Sequence, residues 1–342
     1  MSLPVAYGNG TSVEAVVQAP PVVAQLQRVF EALDDEPLIQ ALIGPTRRGP
    51  KGHSVEVLWH CVIAKYVLGL ESTEALRREL RNNPFVAQAC GIELPDAIPH
   101  HSTFSRFFAR LSKYRIAARL KDVSRGLVRS CYDSLPGFGE RVAIDSTTLK
   151  GWVNGGKPKR SDSEAGWSIK PNTHGKREFT LGWKLHLMVD TEYELPVAAN
   201  ISPGNVHDSV RATNLLSEAR FTTGRFYPKY LMADKGYSGK PLYLVIKNQY
   251  QATPIIDPNS AHKEFIEHTR EMRETPSWKA LYAQRASVER VFSRLKGQRS
   301  LNHITVRGLR KVTVHSYLAL IAMQALVVQE KQVRTCSSRV AR

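Results

Sequence analysis

Through the first third of the chain, apolar residues recur every three or four positions, as they do on the buried side of helices. A short helix is expected around residues 22–33. Later apolar segments each follow a serine that can accept a hydrogen bond from the first helical turn, so we expect three serine N-caps: Ser54, Ser72 and Ser102. The pattern predicts an N-terminal arm over residues 1–35 and a small all-helical domain over residues 36–130.

The pattern changes at Arg141, where short apolar runs begin to alternate with helical segments. The runs predicted to be strands are 141–145, 182–190, 195–202, 229–234 and 251–257. Helical segments follow the third, fourth and fifth runs, and this order predicts a mixed α/β fold with helices packed against a central mixed sheet. We assign this domain to residues 138–330 and a basic tail to residues 331–342.

The longest apolar run, "YLALIAMQALVV", lies near the C-terminus. A helix that spans a bilayer needs about 20 apolar residues, so this shorter run predicts a buried helix that covers the sheet. The chain does not open with a basic segment followed by an apolar run, as a signal peptide would. No membrane partner is expected.

The charge of the chain narrows the class of partner. The 342 residues include 48 Lys and Arg against 31 Asp and Glu, a formal net charge of +17. Such an excess favours a polyanion, most commonly nucleic acid, although a ribosome-associated or membrane-surface protein has the same property. The four cysteines show no CxxC spacing, which is typical of reduced thiols in a cytosolic protein.

Three carboxylates are candidates for chemistry. Asp145 and Asp234 each end a predicted strand, and either one alone also suits a turn. Glu289 lies among four cations in "YAQRASVERVFSRLK". If this segment is one continuous helix, four side chains fall within an arc of about 60°: Tyr282, Arg285, Glu289 and Lys296. Arg290 and Arg294 then project elsewhere, toward solvent. The alternative is an ordinary solvated helix face.

These four residues follow the spacing Tyr-x2-Arg-x3-Glu-x6-Lys, and here the sequence resembles the DDE transposases of bacterial insertion sequences, in the broad group that contains families four and five. "IDST" at Asp145 and "ADKGY" at Asp234 resemble the family's other two acidic motifs. The helical segment that ends in "HSTFSRF" resembles the N-terminal domain often found in this group. The resemblance extends from about residue 36 to residue 325.

The resemblance implies an RNase H-like catalytic domain with a DDE metal site. Two Mg²⁺ ions, for which Mn²⁺ can substitute, would lie about 4 Å apart. Asp145 would bridge both ions, while Asp234 and Glu289 would each hold one. Hard cations prefer such carboxylates. The remaining residues of the segment would hold the DNA backbone beside the metals: Tyr282, Arg285, Lys296, Arg290 and Arg294.

The expected function is a transposase that cleaves and joins double-stranded DNA at the terminal inverted repeats of an insertion sequence and at the target. It would act as a homodimer or higher assembly on DNA, in the cytoplasm at the nucleoid, with the helical domain serving end binding or dimerisation. One alternative is an RNase H-like nuclease without strand transfer. Another is a domesticated DNA-binding protein, which is disfavoured because all three acids are present.

Other residues have two interpretations each. Asp208 is expected to be an N-cap, with a role beside the metals as the alternative. His186 is expected to pack in the core or at the surface. The tryptophans that could stack on an unpaired base, or instead belong to the core, are Trp152, Trp167 and Trp183. The helical domain offers four arginines that could contact terminal repeats or form a solvated face: Arg77, Arg78, Arg81 and Arg106.

Overall fold

The computed structural model of the protein describes most of the chain. The described residues are 20–44, 52–93, 98–154, 161–171, 176–259 and 270–340. The predicted N-terminal arm therefore lies largely outside the described residues, as do the last two residues of the predicted tail.

Seven helices precede the sheet in the described residues. They are α1 (Pro21–Glu31), α2 (Glu36–Leu42), α3 (Val55–Val67), α4 (Thr73–Asn82), α5 (Pro84–Ala89), α6 (His101–Leu111) and α7 (Tyr114–Ser134). Ser54 and Ser72 cap α3 and α4 as predicted, because their hydroxyls accept from Val57 N at 3.1 Å and from Ala75 N at 3.0 Å.

The predicted cap at Ser102 is wrong. Helix α6 begins at His101, and the N-cap is His100, whose backbone is extended and whose ring nitrogen accepts from Ser102 N at 3.4 Å. The His100 imidazole takes the capping role because it can accept from the Ser102 amide, two residues further on. Ser102 therefore lies inside the first turn of the helix. The Ser102 hydroxyl lies 3.0 Å from the same ring nitrogen.

The sheet has six strands in the described residues: β1 (Arg141–Lys150), β2 (Gly166–Pro171), β3 (Arg177–Asp190), β4 (Leu195–Pro203), β5 (Tyr230–Ala233) and β6 (Thr253–Ile256). Their order is β2-β3-β1-β5-β6, and β4 also pairs with β3. Strand β2 runs along the first half of β3 and β4 along the second half. Strands β3 and β1 are antiparallel, whereas β1, β5 and β6 are parallel. This arrangement confirms the predicted fold class, a mixed α/β fold with helices packed against a central mixed sheet.

Strand β1 is longer than the sequence predicted. The prediction ended it at Asp145, but β1 continues to Lys150, opposite Gly182 of β3. The polar run after Asp145 suggested a turn, but its first residues, which carry hydroxyl side chains, continue the strand. Thr148 Oγ1 lies 3.2 Å from Ser168 Oγ on β2, the strand that the prediction missed.

Helix α8 (Asp208–Thr223) lies between β4 and β5. Helix α9 (Lys240–Leu244) lies between β5 and β6 and continues as a π-helical turn, Val245–Gln249. The last three are α10 (Pro276–Ala283), α11 (Ala286–Gln298) and α12 (Leu309–Val340). Helix α8 packs on β3 and β4, and α11 packs on β1 and β3.

Helix α12 belongs to both halves of the molecule. It packs against β4 and also against α1, α3 and α7. Its buried Gln324 accepts from Ser124 Oγ of α7 at 2.9 Å and donates to Pro196 O of β4 at 3.0 Å. The segment Leu309–Glu330 is long and apolar enough to cross a bilayer, but 83% of its most apolar window is buried inside the protein. The buried apolar side chains of the described residues form one continuous cluster, and the division into two domains stays a prediction.

The C-terminal end of α11 is attached to the turn between α3 and α4. Two hydrogen bonds make this attachment, from Arg299 Nη1 to Val67 O and from Ser300 Oγ to Leu70 O, both at 3.0 Å. Gly69, in the same turn, has φ +67° and touches the Gln298 carbonyl so closely that a Cβ atom would lie 2.7 Å from its oxygen. The helix that carries Glu289 is therefore anchored to the helical part of the chain.

We expect Gly69→Ala to lower the free energy of unfolding by about 2–4 kcal/mol, because it adds an overpacked contact to an unfavourable left-handed backbone. Gly224→Ala is the matched control. Gly224 has φ +66° but open space around the added methyl group, so its loss should be about 1 kcal/mol. Urea unfolding midpoints measure both. Equal losses would mean that Gln298 does not constrain this turn.

A buried acid lies where α2 meets α3. Asp35, the residue before α2, accepts a hydrogen bond from Trp59 Nε1 at 2.5 Å. Burial raises the pKa of Asp35 to about 6, and the Trp59 hydrogen bond opposes that rise. Folding therefore favours the protonated acid. Its contribution to stability is fully present below pH 3.8 and is lost as the pH rises through about 6.

We expect Asp35→Asn to remove this pH dependence, because the amide oxygen can still accept from Trp59 without a charge. Between about pH 4 and about pH 7 the wild type should lose about 1–2 kcal/mol relative to the variant, a value discounted for partial exposure. Urea unfolding at a series of pH values measures the difference. Asp34→Asn, at the exposed neighbouring position, should leave the wild-type profile unchanged. Parallel profiles for wild type and Asp35→Asn would contradict the assignment.

Candidate active site

Two of the predicted acids meet on neighbouring strands. In the parallel pairing of β1 with β5, Ile144 lies opposite Ala233. Asp145, in the middle of β1, and Asp234, directly after β5, are the next residues along the two chains, so they lie side by side on one face of the sheet. The Asp145 carboxylate accepts from Ser146 N at 2.7 Å, and the Asp234 carboxylate accepts from Gly236 N at 2.9 Å.

A buried tyrosine lies close to these acids and is affected by their negative charge. Tyr237 lies three residues after Asp234, in a short 3₁₀ turn, and is 1% exposed. Burial, and after it the negative charges of Asp145, Asp208 and Asp234, raise the pKa of Tyr237 well above its usual value. The three aspartates thus lie around a single phenol group.

Glu289 reaches the site from α11, across Arg285. The guanidinium of Arg285 lies 3.0 Å from Glu289 Oε1 and 3.7 Å from Asp145 Oδ2. Burial lowers the pKa of Arg285, but the charges of Glu289 and Asp145 outweigh burial and raise it. The site therefore contains a cation held between two of its acids.

The helix that carries the signature is not continuous. Helix α10 ends at Ala283 and α11 begins at Ala286, with Arg285 at the junction. The predicted common arc of about 60° is therefore wrong for Tyr282, which lies on α10. There its ring stacks on Trp278, with centroids 4.9 Å apart. Burial raises the pKa of Tyr282, and the charges of Asp257 and Asp234 add to the rise.

Lys296 lies on the same face of the sheet as Asp145. Its Nζ donates to Thr147 Oγ1 at 2.7 Å. Thr147 is two residues after Asp145 on β1, so both side chains project toward α11. The structure thus brings Arg285, Glu289 and Lys296 to the acid-bearing strand from a single helix and its N-terminal junction.

Arg290 and Arg294 point to a different place. Both contact Glu194 in the turn between β3 and β4: Arg290 through Nε, and Arg294 through Nη2, which lies 2.8 Å from Glu194 Oε2 and 2.9 Å from the Glu194 carbonyl. Glu194 adopts φ +52°, a conformation that is unfavourable for a non-glycine residue. The two arginines therefore stabilise this turn within the protein.

Charged residues also lie on the opposite face of the sheet. Lys184 of β3 pairs with Asp208 at 2.9 Å. The predicted N-cap role of Asp208 is wrong, because the N-cap of α8 is His207, whose ring accepts from Ser209 N at 3.4 Å. The backbone is extended at His207 and helical from Asp208 onward, which frees the Asp208 carboxylate for Lys184. His186 is buried, as predicted, with Nε2 2.8 Å from Ser202 Oγ.

The tryptophans and the arginines of the helical part divide by exposure. Trp183 is fully buried in the core, whereas Trp152 and Trp167 are 60% and 39% exposed. Arg77 donates to Pro99 O at 3.1 Å and pairs with Glu74, so it fixes the chain before α6. Of the four arginines predicted to contact terminal repeats, three are exposed: Arg78, Arg81 and Arg106.

The donor set fits a hard divalent cation in its chemistry. Asp145, Asp234 and Glu289 offer only carboxylate oxygens, the ligands that Mg²⁺ prefers. In the described part of the chain, no three carboxylate, imidazole or thiol groups are gathered tightly enough to hold a metal ion together. Arg285 separates Glu289 from Asp145, while the two aspartates lie on neighbouring strand positions. Metal binding would therefore require Arg285 to move relative to Glu289.

Several residues of this region carry no local sequence signal. Thr147 and Glu194 are partners of predicted cations, yet each looks like an ordinary strand or turn residue. Lys184 was visible only as part of a strand alternation. The pairing that gives them a role depends on which strands are neighbours, and no local pattern contains that information.

Two protein-family models match the chain. Residues 136–324 match the family described as "Transposase DDE domain", and residues 16–110 match "Transposase domain (DUF772)". No curated protein matches the chain. A solved structure, "Cryo-EM structure of piggyBac transposase synaptic complex with hairpin DNA", is 10% identical over 94% of this chain and 77% of that chain, with a TM-score of 0.48.

Proposed function

The chain belongs to the DDE transposases, enzymes that cut and join DNA, and we propose that Asp145, Asp234 and Glu289 carry this chemistry at the ends of an insertion sequence. The observation that supports the proposal is the position of the acids. Asp145 and Asp234 follow paired residues of adjacent parallel strands, and Glu289 contacts the same Arg285 as Asp145.

The three acids would hold the divalent metal on which the family generally depends, and we propose Mg²⁺, in two sites, with Mn²⁺ as a substitute. The chemistry that such ions supply is neutralisation of charge on the phosphate and activation of the attacking hydroxyl. Asp145 lies beside Asp234 on the neighbouring strand and shares Arg285 with Glu289, which suits a ligand common to both sites. Asp234 and Glu289 would each bind on one side of it.

Arg285 and Lys296 would hold the scissile phosphate. The Arg285 guanidinium already lies beside two acids, and its planar fork suits phosphate oxygens. The Lys296 ammonium is fixed by Thr147 on the same sheet face. Tyr282, half-buried on α10 beside them, would border the path of the DNA strand. Arg290 and Arg294 would add phosphate contacts at the periphery, from their positions around Glu194.

The partner is DNA, and we propose the terminal inverted repeats and the target duplex as its two forms. The exposed arginines Arg78, Arg81 and Arg106 favour end recognition by the helical part, residues 36–130. The catalytic part would comprise residues 138–330. A homodimer or higher assembly on DNA, located at the nucleoid in the cytoplasm, completes the proposal.

An RNase H-like nuclease that cuts without joining would use the same acids. Family membership favours the transposase, and a strand-transfer assay with a precleaved element end and a supercoiled target plasmid separates the two. Joined products support the transposase. Cleavage of intact ends without any joined product would favour the nuclease.

We expect alanine at Asp145, Asp234 or Glu289 to lower metal-dependent cleavage by about 10³-fold or more, because each change removes a metal ligand. The substrate is a plasmid that carries the gene with its flanking DNA, cut in the presence of Mg²⁺. End binding, measured by gel shift, should stay within about twofold of wild type. Glu192→Ala, at an exposed position in the β3–β4 turn, is the control. A variant that cuts at the wild-type rate would remove that acid from the site.

The four cations of the signature segment should separate into two classes. Arg285→Ala and Lys296→Ala should lower single-turnover cleavage at saturating protein by about 100-fold, because they position the reacting phosphate. Arg290→Ala and Arg294→Ala should leave that rate nearly unchanged and weaken DNA binding alike for all sequences. Comparing intact with precleaved ends isolates the first cut. Equal defects in all four variants would mean that α11 presents one undifferentiated basic surface.

A further inference from the structure

A polar network lies buried on the face of the sheet opposite Asp145. Its members come from β1, β3, β4, the turn after β5 and α8: Ser146, Lys184, His186, Ser202, Tyr237 and Asp208. His186 and Ser202 are fully buried, and Ser146 and Lys184 are below 10% exposed. Charged and polar groups at such depth are uncommon unless they are paired.

Asp208 is the centre of the network. Its Oδ1 atom lies 2.9 Å from Lys184 Nζ and 3.8 Å from His186 Nδ1. Lys184 also donates to Val206 O at 3.0 Å, and His186 is held on its other side by Ser202 at 2.8 Å. The carboxylate therefore has a fixed position at the N-terminus of α8.

The network adjoins the parts of the chain that carry the proposed catalytic acids. Ser146 directly follows Asp145 and lies opposite His186 in the β1–β3 pairing, and Thr148 lies opposite Lys184. Burial raises the pKa of Asp208, but the hydrogen bond from Lys184 outweighs burial and the pKa is lowered. In the turn after β5, the Tyr237 ring is buried three residues after Asp234. Asp208 thus contacts the two β3 residues that lie opposite the positions around Asp145.

Stability alone gives little reason for a buried ion pair here. Removing two charges from water costs several kcal/mol per ion, and well-packed apolar residues often stabilise a core as well or better. A buried pair does fix its partners in one geometry. Helix α8 has a second ion pair, Arg125–Glu218 at 2.7 Å, which lies ten residues along the helix from Asp208 and far along the chain from the acids. It offers a comparison within the same helix.

We propose that Asp208 is a positioning residue, which through Lys184 and His186 holds β3 against β1 so that Asp145 stays in register with Asp234. The role rests on the proposed function of the two acids. Asp208 would touch neither metal nor DNA. It would act from the opposite face of the sheet, on the strand that pairs with β1.

The test compares Asp208→Asn with Glu218→Gln, the matched ion-pair control on α8. Lys184→Met combined with Asp208→Asn removes both charges, so that an unpaired buried lysine does not confuse the result. Four quantities are measured on the full-length protein: unfolding midpoint in urea, gel-shift affinity for element ends, single-turnover cleavage in Mg²⁺, and binding of Mn²⁺ alone by electron paramagnetic resonance.

We expect Asp208→Asn to lower cleavage and Mn²⁺ affinity by about 10–100-fold, as loss of groups that orient metal ligands does, with end binding within about twofold of wild type. Glu218→Gln should change only the unfolding midpoint. Hydrogen exchange gives a readout that needs neither metal nor activity. Amides of residues 141–150 should exchange faster in Asp208→Asn and not in Glu218→Gln.

The proposal is overturned if Asp208→Asn behaves like Glu218→Gln in cleavage, Mn²⁺ binding and exchange of β1. It is also overturned if the double variant restores wild-type cleavage, because the pair would then be dispensable. Failure of the proposed function looks different. In that case the wild type neither cuts nor binds Mn²⁺, or Asp145→Ala still cuts, and the exchange of β1 alone decides whether Asp208 holds the strand.

Discussion

Strand β1 and its register between β3 and β5 determine most of the site. Alternate residues of a strand point to opposite faces, so a slip by one position would exchange them. In the observed register, Asp145 and Thr147 face α11, where Arg285 and Lys296 contact them. Ser146 faces the other way, toward the buried network. One pairing therefore places the acid, its neighbouring cations and the polar support behind it.

This dependence explains what the sequence could and could not predict. The spacing of the Tyr, Arg, Glu and Lys positions predicts Glu289 as the third acid, and the Ser54 and Ser72 caps, which the structure confirms, followed from local chemistry. The extent of β1 did not follow, because Ser146 and Thr147 look like turn residues until β3 is known to run beside them. The helix interruption before Arg285 was missed for a similar reason. Every residue there is compatible with a helix, and only tertiary packing ends one and begins the next.

A net charge of +17 says little about where positive charge is available. Several cations near the acids already have an anionic partner inside the protein. Arg285 is shared between two carboxylates, Arg290 and Arg294 meet at Glu194, and Lys184 is paired with Asp208. Arg285 reduces the repulsion that Asp145 and Glu289 would otherwise exert on each other. DNA phosphate would then compete with these internal carboxylates for the same guanidinium groups.

Helix α12 affects the order in which the protein can fold during synthesis. Its buried Gln324 joins α7 to β4, and its apolar side covers helices that are made some 200 residues earlier. During synthesis, α3 and α7 leave the ribosome long before the helix that completes their core, so their apolar faces stay uncovered while the sheet is being made. If the gene were divided between the two family-matched segments, the apolar faces that meet between α12 and the early helices would be exposed in both products. The two segments are separable in sequence, but they share one final folding step.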